Sequence, residues 1–99
     1  MLFVIQCRDK AGHEAVRADA RPDHLEYLAK FEGRLKVAGP LLAEDGASPR
    51  GSLIIIDLES RAEAERFATN DPYARAGLFE AVSITPWRAS VGVWLPKSA

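Results

Sequence analysis

Ser52-Leu53-Ile54-Ile55-Ile56-Asp57-Leu58 is the stretch that decides the fold. It reads as a strand with apolar residues on both of its faces. Side chains alternate across a sheet, so a strand of this kind needs both faces covered. Just beyond it, Ser60-Arg61-Ala62-Glu63 is a capping-box pattern that opens a helix. Ala64, Phe67 and Ala68 form that helix's apolar stripe. Asn70-Asp71-Pro72-Tyr73 ends it, because a residue before proline is pushed away from helical angles. Asp71 then caps one more turn, Pro72 to Ala76, closed by Gly77. Phe79 to Trp87 follows as a strand with Pro86 near its end, and Ala89 to Leu95 is read as a short extra strand. Pro96 to Ala99 reads as a frayed tail.

Upstream of the isoleucines, Glu44 to Gly51 is turn chemistry. Arg34 to Ala43 reads as a strand kinked or bulged at Gly39-Pro40, and the proline places it at a sheet edge. Arg21 to Phe31 is an amphipathic helix with His24, Leu28 and Phe31 on one stripe and Asp23, Glu26 and Lys30 opposite. Pro22 suits its first turn, and Gly33 its C-terminal cap. Glu14 to Ala20 has helix formers without clear apolar periodicity, and Asp9 to His13 reads as a loop. Leu2 to Cys7 is the first strand.

The order strand, helix, strand, strand, helix, strand is the split βαβ, ferredoxin-like arrangement, an α+β fold with a four-stranded antiparallel sheet. Two helices cover only one face of such a sheet. The other face is expected to be covered by a second copy of the chain, giving a homodimer through the open sheet face.

The chain of 99 residues fits a single domain, with a core over 2–88 and a C-terminal extension over 89–99. It is 47% hydrophobic and 27% charged with a formal net charge of -1, which argues against disorder and gives no basic stripe for nucleic acid. Its longest apolar run is too short for a bilayer, and the N-terminus lacks the pattern of a signal peptide, so a cytoplasmic location is expected. A single cysteine, Cys7, excludes an internal disulfide framework. His13 and His24 lack the spacing of one helical metal site, and the glycines are scattered, so neither a metal nor a phosphate-bearing cofactor is expected.

His24 and Asp71 are the residues most suited to chemistry. His24 sits among the apolar residues of its helix, either as a core-edge histidine bonded to a carbonyl or as a general acid or base. Asp71 before proline is either a plain helix cap or, by helical phase, a carboxylate aimed at the same sheet face. A carboxylate beside an imidazole fixes its tautomer. Arg17 and Arg21 are candidates to hold a substrate carboxylate, and Tyr27 and Tyr73 to offer hydroxyls, although each residue type more often serves surface or packing. Cys7 reads as a small core residue.

Several short motifs in this order carry a family resemblance. They are Asp9-Lys10 with Gly12, Arg17, Arg21-Pro22-x-His24-Leu25-x-Tyr27-Leu28, Ala38-Gly39-Pro40-Leu41, Gly51-Ser52, Asp71-Pro72-Tyr73-x-x-Ala76-Gly77 and Pro86-Trp87. Together they resemble the YciI-like (YCII-related) proteins, from Leu2 to about Arg88. The resemblance implies a ferredoxin-like dimeric α/β barrel, similar to muconolactone isomerase, with a histidine and an aspartate at its site. By motif these correspond to His24 and Asp71. A related member is a dehydrochlorinase on a chlorinated hydroxyquinol, which implies proton-transfer chemistry. The function expected is therefore a cofactor-independent isomerase or lyase. The alternative is a non-catalytic module that binds a metabolite, or a polar pair that serves only the dimer.

Overall fold

The computed structural model describes residues 1–95. Its elements are β1 (Leu2–Asp9), α1 (Glu14–Ala29), β2 (Leu35–Leu42), β3 (Pro49–Asp57), α2 (Arg61–Asn70), α3 (Pro72–Arg75) and β4 (Phe79–Trp87). The four strands form one sheet in the order β2-β3-β1-β4, with every neighbouring pair antiparallel. This is the ferredoxin-like order expected from the sequence.

The core lies on one face. Phe3 and Ile5 of β1 stand opposite Ile56 and Ile54 of β3. All four are buried, together with Leu28 of α1 and with Ala64 and Phe67 of α2. The alternate residues, Val4 on β1 and Leu53 and Ile55 on β3, point to the other face and are half-buried. Trp87 stands opposite Leu2 on that same face and is 45% exposed.

Local chemistry explains most boundaries. The Ser60 hydroxyl accepts the Glu63 N–H at 3.1 Å, as a capping box requires, but the Glu63 carboxylate returns to the N–H of Glu59. Asp71 caps α3 through the Tyr73 N–H at 2.9 Å, and Gly77 follows with φ +76°. Asp45 closes the β2–β3 turn by accepting the N–H groups of Ala47 and Ser48. Gly51 is forced by proximity: a Cβ there would lie 2.2 Å from the carbonyl oxygen of Cys7.

Five readings of the sequence need correction. Helix α1 begins at Glu14, so Pro22 lies inside it, not in its first turn. It ends at Ala29, and Gly33 belongs to the following turn at φ +83°. Strand β2 is an edge strand, as its proline required, but its irregularities fall between Leu35 and Val37 and between Leu41 and Leu42. Gly39 and Pro40 pair regularly with Leu53 and Ser52. Strand β3 begins at Pro49, within the stretch read as turn. Ala89 to Leu95 forms bends and a turn instead of a strand, with Gly92 at φ +137°. The tail at 96–99 lies outside the described residues.

Candidate active site

Arg17, Arg21, His24 and Leu28 follow one another at helical spacing along α1, on the side that faces the sheet and α3. They line a cavity of about 410 Å³ with Ser52 of β3 and Tyr73 of α3. Leu25, Ala38, Pro40 and Ile54 supply apolar wall.

At the inner end, His24 Nδ1 lies 2.8 Å from Asp71 Oδ1. The two residues are 7% and 2% exposed. An ionised carboxylate has only acceptors, so Nδ1 carries the proton, and in the neutral imidazole Nε2 is then the nitrogen with the lone pair. Nε2 has no hydrogen-bond partner among the described residues. Among the described residues no buried side-chain nitrogen or oxygen lacks one, so Nε2 is not fully enclosed, and His24 lines the cavity.

Tyr73 fixes the ring from the side. Its ring stacks on His24 with centroids 3.9 Å apart and planes 16° from parallel. The guanidinium of Arg17 lies over the Tyr73 ring, 4.6 Å from its centroid. The Tyr73 ring is thus in contact with two residues of α1 that stand about two helical turns apart.

Arg17 is itself held on three sides. Its Nε donates to Asp9 Oδ2 at 2.7 Å, and its Nη2 donates to Asp9 Oδ1 at 3.0 Å and to Ser52 Oγ at 2.9 Å. Burial pulls its pKa down, but the bonded Asp9 carboxylate more than offsets that. Arg21 differs. It lines the cavity, is exposed, and has no ion pair or hydrogen bond among the described residues. Burial raises the Tyr73 phenol above its ordinary value, and the positive charges of Arg17 and Arg21 pull it only part of the way back. The phenol is therefore protonated at neutral pH and able to donate. Burial, reinforced by Asp71 and Asp9, pushes the Cys7 thiol up to about 12, so it is a core group and no nucleophile.

The structure thus brings together His24, Asp71, Arg17, Arg21 and Tyr73. It places Tyr27 elsewhere: its hydroxyl donates to the Phe67 carbonyl at 2.9 Å, and its ring packs between Phe31 and Phe67. Arg17 is committed to Asp9 instead of standing free for a substrate carboxylate. Asp9 and Ser52 join the site through Arg17, a link that no spacing in the sequence marks. The Gly51-Ser52 pair was the available signal, since a glycine that permits close approach often seats its neighbour. Among the described residues, no three His, Cys, Asp or Glu side chains cluster to hold a metal.

The fold has counterparts. The chain belongs to the YCII-related domain family, whose model matches residues 1–88. Protein YciI of Escherichia coli O6:H1 is 41% identical over 95 residues, covering 89% of this chain and 97% of that protein. An uncharacterised protein of Haemophilus influenzae is 33% identical over the same shares. Among solved structures, a 5-chloro-2-hydroxyhydroquinone dehydrochlorinase from Burkholderia phenoliruptrix AC1100, in complex with 2,5-dihydroxybenzoquinone, superposes with a TM-score of 0.83. It is 35% identical, over 91% of this chain and 96% of that one. An antibiotic biosynthesis monooxygenase, 14% identical with a TM-score of 0.54, shares the fold.

Proposed function

We propose that this chain is a small-molecule enzyme of the isomerase or lyase type, in which His24 moves a proton and Asp71 holds its imidazole. The observation that carries this reading is the His24–Asp71 hydrogen bond of 2.8 Å, which leaves Nε2 on the cavity. The likeness to a dehydrochlorinase supports the reaction class. In an elimination, Nε2 takes a proton from the substrate and chloride leaves with the electron pair of its bond to carbon. In an isomerisation, the same nitrogen returns the proton to another substrate atom. Neither route needs an oxidant. Among the described residues that line the cavity, Arg21 is a cation with no ion pair and is placed to hold an anionic oxygen, and the Tyr73 phenol is a second donor there.

Incubation with 5-chloro-2-hydroxyhydroquinone tests the reading. Wild type is expected to release chloride, and His24→Gln to release none above the uncatalysed rate. Chloride release that survives His24→Gln would sink it. The second reading, a binding module, is favoured by one observation: Asp71 Oδ1 also caps α3 through the Tyr73 N–H. A binder would raise its melting temperature with the ligand and turn nothing over.

The open sheet face belongs to the same proposal. Among the described residues no helix lies on the face of Val4, Leu53 and Ile55, and a second copy laid sheet to sheet would bury them.

A further inference from the structure

Ser52 does more than pack. It is 3% exposed, and it lines the cavity that His24 lines. A hydroxyl has two lone pairs and one proton. One lone pair of Ser52 Oγ accepts Nη2 of Arg17 at 2.9 Å. The proton has no acceptor among the described residues.

We infer that the Ser52 hydroxyl donates a hydrogen bond into the cavity, to a carbonyl or oxyanion oxygen of the bound ligand, and that Arg17 positions it. The inference rests on the reading of His24 as the proton-transfer group and adds the ligand's chemistry to it. Arg17 cannot swing away, because Asp9 holds it by two nitrogens and Tyr73 lies against its plane. Its Nη2–H occupies one lone pair of Oγ, so the hydroxyl proton is turned away from Arg17. The backbone of Ser52 is equally fixed, since Gly51 lets β3 approach Cys7 where no Cβ would fit. A buried proton without an acceptor is costly, and a ligand oxygen removes that cost. When His24 takes a proton, negative charge develops on the conjugated oxygen of a carbonyl or phenol. A fixed donor aimed at such an oxygen stabilises that charge. The ligand class is therefore a small ring or chain bearing a carbonyl, enolate or phenolate oxygen, set against the apolar wall of Leu28, Ala38 and Ile54.

Calorimetric titration with 2,5-dihydroxybenzoquinone tests this, with thermal melts as the control for folding. Ser52→Ala is expected to bind the quinone at least tenfold more weakly than wild type while melting cooperatively. Arg17→Lys keeps a charge opposite Asp9 but loses the fork that reaches both Asp9 and Ser52, and it is expected to weaken binding as well. Combining it with Ser52→Ala is expected to cost no more affinity than the worse single change, which a merely structural role for Arg17 would not produce. Ser52→Ala binding within twofold of wild type, with turnover still lost in His24→Gln, overturns this inference alone. A wild-type chain that binds no quinone at millimolar concentration overturns the inference together with the reading on which it rests.

Discussion

One oxygen of Asp71 serves two masters: Oδ1 accepts both the Nδ1–H of His24, at 2.8 Å, and the backbone N–H of Tyr73, at 2.9 Å. The same atom therefore orients the imidazole and starts the turn that presses Tyr73 onto it. Asn caps a helix about as well as Asp. Asp71→Asn is thus expected to change stability by only about 1 kcal/mol. Turnover is a separate matter, because an amide no longer selects one imidazole tautomer or balances an imidazolium. Loss of roughly a hundredfold or more in kcat is expected, by analogy with triad carboxylates. Urea denaturation beside steady-state rates checks both halves.

Arg21 is exposed and bonded to nothing among the described residues, so Arg21→Ala should leave the melting temperature nearly unchanged. If it holds an anionic oxygen, the loss should appear in KM, by about tenfold, as expected for a charged hydrogen bond. Equal KM values for the two proteins would remove Arg21 from the site.

Cys7 supplies a pH dependence with a definite sign. Burial holds its thiol near 12, against 9.0 ordinarily. Between those values the unfolded chain has lost the proton and the folded chain keeps it. The unfolded state then binds fewer protons, so stability falls as pH rises, by roughly 1.4 kcal/mol per unit. Tyr27 and Tyr73, also raised by burial, add the same sign above their ordinary value of 10.0. Urea midpoints between pH 9 and 10 isolate the Cys7 part, and Cys7→Ala should flatten it. At pH 8 a thiol reagent should find no group in the folded protein and one after unfolding.

Gly51→Ala should be severe. The new Cβ would have to displace the Cys7 backbone, at 2.2 Å, in the middle of the sheet. A cost of about 2–3 kcal/mol is expected, as for other overpacked interiors. A denaturation midpoint within error of wild type would show that β3 can shift freely.

The paired chain should scatter light with twice the mass of 10.8 kDa at micromolar concentration. Ile55→Lys, on the face without helices, should halve it. A wild type already monomeric would leave the open face without the partner proposed for it.

The strand order was readable because hydrophobic alternation and the Ser60 and Asp71 caps are local signals. Helical phase sets His24 on the sheet-facing side of α1, but it does not place Asp71, which lies just past α2 with non-helical backbone angles and is legible only as the cap before Pro72. The first half of α1 was hidden. Its buried face carries Arg17, a residue that pattern reading counts as solvent-facing, and its partners Asp9 and Ser52 lie on two other strands. Tyr27 lies apart from these residues, in the packing role the tyrosine more often takes. Its hydroxyl is spent on a carbonyl of α2, a contact that depends on how two helices cross. The expected strand after Trp87 does not form, since 88–90 carry no strand and 91–95 are bends and a turn with Gly92 at positive φ.

Pro22 sets a break in the bonding of the helix that carries most of the site. It leaves the Ala18 carbonyl without the N–H that an ordinary residue would offer it, in the middle of α1. Arg17 and Arg21 stand before this break and His24 after it. One backbone hydrogen bond is therefore missing from the stretch of α1 that separates the two cations from the base, so the hold of Asp9 on Arg17 and of Asp71 on His24 counts for more in keeping the two ends of the cavity in register.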